Sequence, residues 1–257
     1  MPGGSYGRVP FGSDFTGLYD SVVWGTTQLV SGEGIGNGLG FTSVNEGSFA
    51  STVDESGGVL AITSDTGDDD NAVLAAGKFA PRDGYMEVEA RFKYSNVDCA
   101  IYVGFAETMA LDTPVMPAEF ATATMTYNGT GGMLGFNYDV DGTTDDFRAV
   151  LGDAGAARSD SSNGIRASAT LTADQWFLAR VIMNERGGGE CWFADSSDAG
   201  DDSMPNLQLV KRFSTGTLLT TTDLFFAVLM IENRSANARV LEIDYLFGSG
   251  GRDWRFN

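Results

Sequence analysis

The sequence predicts an all-β fold of two antiparallel sheets packed face to face, and three observations carry that expectation. Strand-like runs recur at short spacing from residue 48 to residue 247. The chain holds 34 glycines against 6 prolines, which suits many tight turns between short strands. No stretch sustains a helical apolar period, and no segment repeats, so the 257 residues read as one domain.

The elements follow in order. Residues 1–15, rich in Gly and Pro, read as an extended arm, residues 16–249 as the sandwich and residues 250–257 as a tail. A first strand is expected around Val22 to Val30, before the Gly-rich loop SGEGIGNGLG at 31–40. SFASTV (48–53), GVLAITS (58–64) and AVLAAGKF (72–79) come next. The clearest strand is YMEVEARFKY (85–94), where Met86, Val88, Ala90 and Phe92 alternate with Glu87, Glu89, Arg91 and Lys93. One face is apolar and the other charged, the period-two pattern of a half-buried strand.

CAIYVGFAE (99–107), TATMTY (122–127), MLGFNYDV (133–140) and DFRAVL (146–151) continue the series. TPVMPAEFA (113–121) is expected to hold one short turn of helix, and Asp141-Gly142 a tight hairpin turn. The later strands are IRASATL (165–171), WFLARVIM (176–183), ECWFAD (190–195), LQLVKRF (207–213), DLFFAVLMIE (223–232) and RVLEIDYLF (239–247). GGG at 187–189 and the polar run 195–206 connect some of them.

Composition narrows the function. Acidic residues number 35 and basic ones 16, a net charge of −19 that repels nucleic-acid phosphates and anionic membranes. Neither nucleic acid nor membrane is an expected partner, and no apolar run is long enough to span a bilayer. MPGGSYGRVPFGSDF lacks the basic start and apolar run of a secretory signal, so folding in a cytoplasm is expected. Cys99 and Cys191 sit in apolar strand runs and read as two buried free thiols. The chain has no histidine, which removes Ser-His-Asp and Cys-His catalysis and the usual zinc sites.

The order of DFTG (14–17), GYMEVEARFK (84–93), CAIYVGFAET (99–108), LTADQWFLARVIM (171–183) and VLEIDYLF (240–247) resembles concanavalin A-like (laminin G-like) jelly rolls. More narrowly, it is similar to jelly-roll virion proteins that decorate the heads of tailed bacteriophages. The resemblance spans roughly residues 45 to 247 and rests mostly on core positions. It implies a non-enzymatic structural protein on the capsid surface, made in the host cytoplasm. Its partners would be the major capsid protein or other virion proteins, and its own copies, with a trimer the first expectation. The alternative it implies is a lectin-like module that attaches to host glycans.

Candidate chemistry is weighed against that background. Some concanavalin A-like domains are glucanases with a Glu-x-Asp-x-x-Glu strand; here Glu242-Ile243-Asp244 matches, but Phe247 stands in place of the second glutamate. Asp139-x-Asp141-Gly142 with Asp145 resembles the start of a calcium loop, yet no bidentate glutamate follows. No catalytic residue, metal or cofactor is therefore expected. Tyr127, Asn128, Tyr138 and Trp192 are the candidates for a sugar platform with its acceptors, or else for core packing. Arg252, Trp254, Arg255 and Phe256 lie behind a Gly hinge in the tail. They either contact a partner, as Trp and Arg do at interface hot spots, or fold back to cap the core. The N-terminal arm is open to the same two readings.

Overall fold

The computed structural model describes residues 8–13, 41–45, 48–52, 58–107, 115–122, 124–127, 131–143, 145–153, 156–158, 173–195, 206–214 and 219–251. Its strands are β1 (Arg8–Ser13), β2 (Phe41–Asn45), β3 (Ser48–Thr52), β4 (Val59–Thr63), β5 (Asn71–Phe79) and β6 (Met86–Tyr94). There follow β7 (Cys99–Ala106), β8 (Ala118–Ala121), β9 (Thr124–Tyr127), β10 (Met133–Asp139), β11 (Arg148–Asp153) and β12 (Ala156–Arg158). The last are β13 (Phe177–Met183), β14 (Gly189–Asp195), β15 (Gln208–Phe213), β16 (Phe225–Asn233) and β17 (Val240–Gly251). Among the described residues the only helix is a single 3-10 turn at Pro81–Asp83, and none is long and apolar enough to cross a membrane.

Two antiparallel sheets make the sandwich. One runs β15-β14-β13-β6-β17-β4-β3 with β1 also on β17, and the other runs β12-β11-β10-β7-β16-β5-β2. The twelve-residue β17 lies against β6 on one side. Its other edge pairs with β4 through Val240–Ile243 and with β1 through Leu246–Gly251. Strands from early and late in the chain thus lie side by side in one sheet.

The alternation in β6 sorts its side chains as the sequence suggested. Met86, Val88, Ala90 and Phe92 are fully buried between the sheets, and Glu87, Glu89, Arg91 and Lys93 face outward. Facing them across the core are Ile101, Val103 and Phe105 of β7, Leu134, Phe136 and Tyr138 of β10, and Leu229 and Ile231 of β16. Both cysteines are buried free thiols, and burial raises each pKa well above the usual thiol value.

The seven-stranded sheet is buried on its outer face too. There the hairpin β8-β9 lies over it, and Met116, Ala118 and Phe120 pack on Tyr102, Met133, Val150 and Met230. Segment 113–121 is therefore no helical turn in its described part: Met116, Ala118 and Phe120 alternate inward, and a strand presents that spacing to a flat apolar sheet. Gly104, at φ 155, stands opposite Gly135 in this sheet. A side chain there would run into the Leu134 carbonyl.

The expected tight hairpin at Asp141-Gly142 is a wider loop between β10 and β11. Gly142 N–H donates to the Asp139 carbonyl, and Thr143 N–H and Asp141 C=O clamp Thr122 of the covering hairpin. The expected strands Val22 to Val30 and 165–171, the loop 31–40 and the tail residues Arg252, Trp254, Arg255 and Phe256 lie outside the described residues. Within the expected arm 1–15, Arg8–Ser13 forms an edge strand.

Candidate functional site

At one end of the sandwich the loops after β4, β6, β10 and β16 converge. Asn233, the last residue of β16, is buried, and its backbone N–H donates to the Asp70 carbonyl while its C=O accepts from Asp69 N–H. Its Nδ2 reaches the carbonyls of Asp65, Gly67 and Ser235, so one amide ties the 65–70 loop to the 235 turn. Arg239 performs the same service next door: its Nε donates to the Asp98 carbonyl at 2.8 Å and its guanidinium pairs with the Asp98 carboxylate.

Arg234 sits at the centre of this end. Only 5% of its side chain is exposed, and the guanidinium meets three carboxylates. Its NH2 group donates to Asp139 at 2.8 Å, its NH1 group to Glu232 at 2.7 Å and to the exposed Asp69 at 2.9 Å. Asp139 also accepts from Arg234 Nε and from the backbone N–H groups of Phe120 and Asp141. The strand β10, the strand β16 and the covering hairpin are all fastened to this one cation.

Charge balance explains the protonation of the cluster. Asp139 and Glu232 are both buried, and one guanidinium neutralises only one of them. Burial raises the Glu232 pKa to about 8 even though Arg234 opposes the rise. Glutamate ordinarily releases its proton near 4.5, so between about 4.5 and 8 the folded state holds a proton that the unfolded chain does not. The contribution of Glu232 is then fully present below 4.5 and is lost as pH climbs through 8. Glu232→Gln, which fixes the neutral form, is expected to lie within about 1 kcal/mol of the wild type at pH 5 and to exceed it by roughly 4–5 kcal/mol at pH 9. Urea denaturation at the two pH values measures this; an equal difference at both would remove the proton from Glu232.

Beside the cluster opens a cleft of about 290 Å³, lined by Asp68, Asp69, Glu119, Phe120, Ala121, Thr126, Asp141 and Arg234. Glu119 and Thr126 face each other across β8-β9 and form one wall. Asp68, Asp69 and Asp141 line the cleft as well. Burial, and then the Asp139 charge, raise the Asp141 pKa. Two residues here hold left-handed backbone, Asp69 of the lining at φ 65 and Thr122, next to Ala121, at φ 58. Aspartate adopts this conformation readily. A β-branched threonine there costs roughly 1–2 kcal/mol, a strain that concentrates at binding sites.

The sequence candidates disperse over the molecule. Tyr138 is a core residue and no sugar platform: it is fully buried, stacks on Tyr94 at 5.6 Å and donates its hydroxyl to the Val97 carbonyl. It points between the sheets because it shares the inward face of β10 with Leu134 and Phe136. Trp192 lies half-buried on the opposite, outer face of the eight-stranded sheet, its indole N–H donating to Glu190 at 3.1 Å. Tyr127 follows Thr126 along β9, beside the cleft wall, and Asn128 lies outside the described residues.

The glucanase-like pair is tied up as well. Glu242 pairs with Lys93 and Asp244 with Arg91, each at 2.8 Å, on the outer face of the eight-stranded sheet. In the loop that resembled a calcium site, the carboxylate of Asp139 is occupied by Arg234 and two backbone N–H groups. Sequence reasoning missed Arg234, Glu232 and Glu119; the partners of Arg234 lie up to 165 residues away in the chain.

Two stacked antiparallel sheets with these connections define a concanavalin A-like jelly-roll sandwich of the kind seen in lectins and carbohydrate-recognition domains. The chain matches peanut lectin at 8% identity and a TM-score of 0.55, covering 94% of this chain and 97% of the lectin. It matches the carbohydrate recognition domain of Emp47p at 11% identity and a TM-score of 0.50, covering 96% of each chain. A Shewanella oneidensis MR-1 protein of unknown function matches at 11% identity and a TM-score of 0.53, covering 97% and 88%. At such identities the likeness is one of fold. No family model matches the sequence, and no curated protein does.

Proposed function

We propose that the chain is a non-catalytic carbohydrate-binding module and that the acidic cleft beside Arg234 is its glycan site. The observation that carries this reading is the convergence of Asp68, Asp69, Glu119 and Asp141 with the Thr126 hydroxyl in one open, pre-formed cleft. Ionised carboxylates accept two hydroxyl donors each, the pattern that neighbouring sugar hydroxyls offer. The firm ties of Arg234, Asn233 and Arg239 hold these acceptors on a rigid end of the sandwich. Lectin-type neighbours agree with the reading without carrying it.

Screening the protein against a glycan array, then titrating the best oligosaccharide by calorimetry, tests the proposal. Asp141→Asn is expected to weaken binding by tenfold or more, the value of a hydrogen bond to a charged acceptor, with melting unchanged. Silence across the array sinks the glycan reading. Binding that ignores both Asp141→Asn and Glu119→Gln moves the site elsewhere.

A second reading is a structural protein of a tailed-phage capsid surface, assembling with its own copies and with the major capsid protein. One observation favours it. Arg8 of the arm stands opposite Gly251 of the tail in the β1–β17 pair, so the described parts of the two segments proposed as contact elements lie side by side. Arg252, Trp254, Arg255 and Phe256 are its proposed contacts.

A further inference from the structure

The outer face of the eight-stranded sheet is unlike the rest of this acidic chain. Arg91, Lys93, Arg180 and Arg212 stand there among five carboxylates, which leaves the face nearly neutral on a molecule of net charge −19. The face also carries exposed apolar area. Phe247 is 44% exposed, its ring tilted 33° to that of Tyr245 at 5.4 Å, and Leu209 is 40% exposed beside the half-buried Trp192. Two copies that repel elsewhere approach at least electrostatic cost through such a patch.

The strand register gives the face an internal order. Reading across β17, β6, β13 and β14, the residues Phe247, Glu89, Arg180 and Trp192 form one cross-strand row. Neighbouring strands lie about 4.8 Å apart, so the row spans roughly 14 Å. An aromatic ring closes it at each end, and an opposite-charge pair fills the middle. Arg180 Nε is 3.9 Å from Glu89, and its NH2 group 3.0 Å from Glu87.

Such a row is self-complementary. Turned over by a two-fold axis that runs along the strands between β6 and β13, it sets Glu89 against Arg180 of the partner subunit. The same rotation sets Phe247 against Trp192 of the partner subunit. The match is isologous, as a closed dimer requires.

We propose that the occupant of this face is a second copy of the chain, docked sheet to sheet about that axis. The inference is independent of the glycan cleft, which lies among the loops at the end of the sandwich. The ion pairs already formed within each sheet keep its charges satisfied in the monomer, and the apolar rings supply the surface that gains from burial.

Sedimentation velocity of the full chain from 1 to 100 μM tests it. The wild type is expected to dimerise in that range. Phe247→Glu should weaken association at least tenfold, as should Glu89→Arg, which opposes two arginines across the axis. Combining Glu89→Arg with Arg180→Glu restores the match and should restore the dimer, which a merely misfolded variant cannot do. Leu224→Glu, an exposed apolar site before β16, serves as the control and should sediment like the wild type. A wild-type monomer at 100 μM overturns the proposal. So does an oligomer of another number, an association that survives Phe247→Glu and Glu89→Arg unchanged, or a reversed pair that fails to rescue.

Discussion

Replacing Arg234 with methionine is expected to cost about 3–5 kcal/mol of stability, lowering the melting temperature on the order of 10 °C. The methionine keeps much of the side-chain volume, so the loss is electrostatic. Asp139 and Glu232 are left buried beside each other with no cation, and the backbone ties of Asp139 to Phe120 and Asp141 remain. A buried charge deprived of its partner is among the most damaging local changes a fold can suffer. Acid should soften the defect, because below about 8 Glu232 holds its proton and only Asp139 is left without its cation; the deficit is expected to be smaller at pH 5 than at pH 8. Thermal melts at both pH values decide the matter. A deficit that is equal at the two, or below 1 kcal/mol at pH 8, would mean that Arg234 does not neutralise the cluster.

The contrast between Arg234 and β6 shows what a sequence displays. The alternation Met86, Val88, Ala90, Phe92 is local, and a strand's geometry turns it directly into an inner and an outer face. Arg234 pairs locally with Glu232, but it also acts through Asp139 and Asp69, which lie 95 and 165 residues away, and nothing in its own neighbourhood announces those two pairings. Asp139 itself suggested a calcium ligand because Asp-x-Asp-Gly is shared by metal loops and by turns. In the structure its carboxylate meets the Arg234 guanidinium.

Tyr138 teaches the complementary lesson. Both faces of its strand are buried, one in the main core and one under β8-β9, so its aromatic ring carried no signal of exposure. The covering hairpin was equally hard to foresee. Its apolar set, Met116, Ala118 and Phe120, is too short to distinguish a strand from a helical turn without the sheet beneath it. The cleft wall at Glu119 and Thr126 was hidden with it.

The second large effect is expected at Phe147, where alanine should destabilise the fold by about 3–5 kcal/mol. Phe147 enters the core just before β11 and is fully buried. Its ring lies 5.0 Å from Phe193, 5.3 Å from Tyr138, 5.4 Å from Phe177 and 5.8 Å from Phe92, so it touches rings from both sheets. Truncation removes the transfer free energy of the ring and leaves a cavity that the four surrounding aromatics, each held by its own strand, close only in part. Phe247→Ala removes the same atoms from an exposed position and is expected to change monomer stability by less than ~0.5 kcal/mol. Urea denaturation of both variants at low protein concentration, with an unchanged m-value, measures the difference. A Phe147→Ala loss below 1 kcal/mol would mean that the two sheets are held by their flanks and that this aromatic cluster is not the centre of the core.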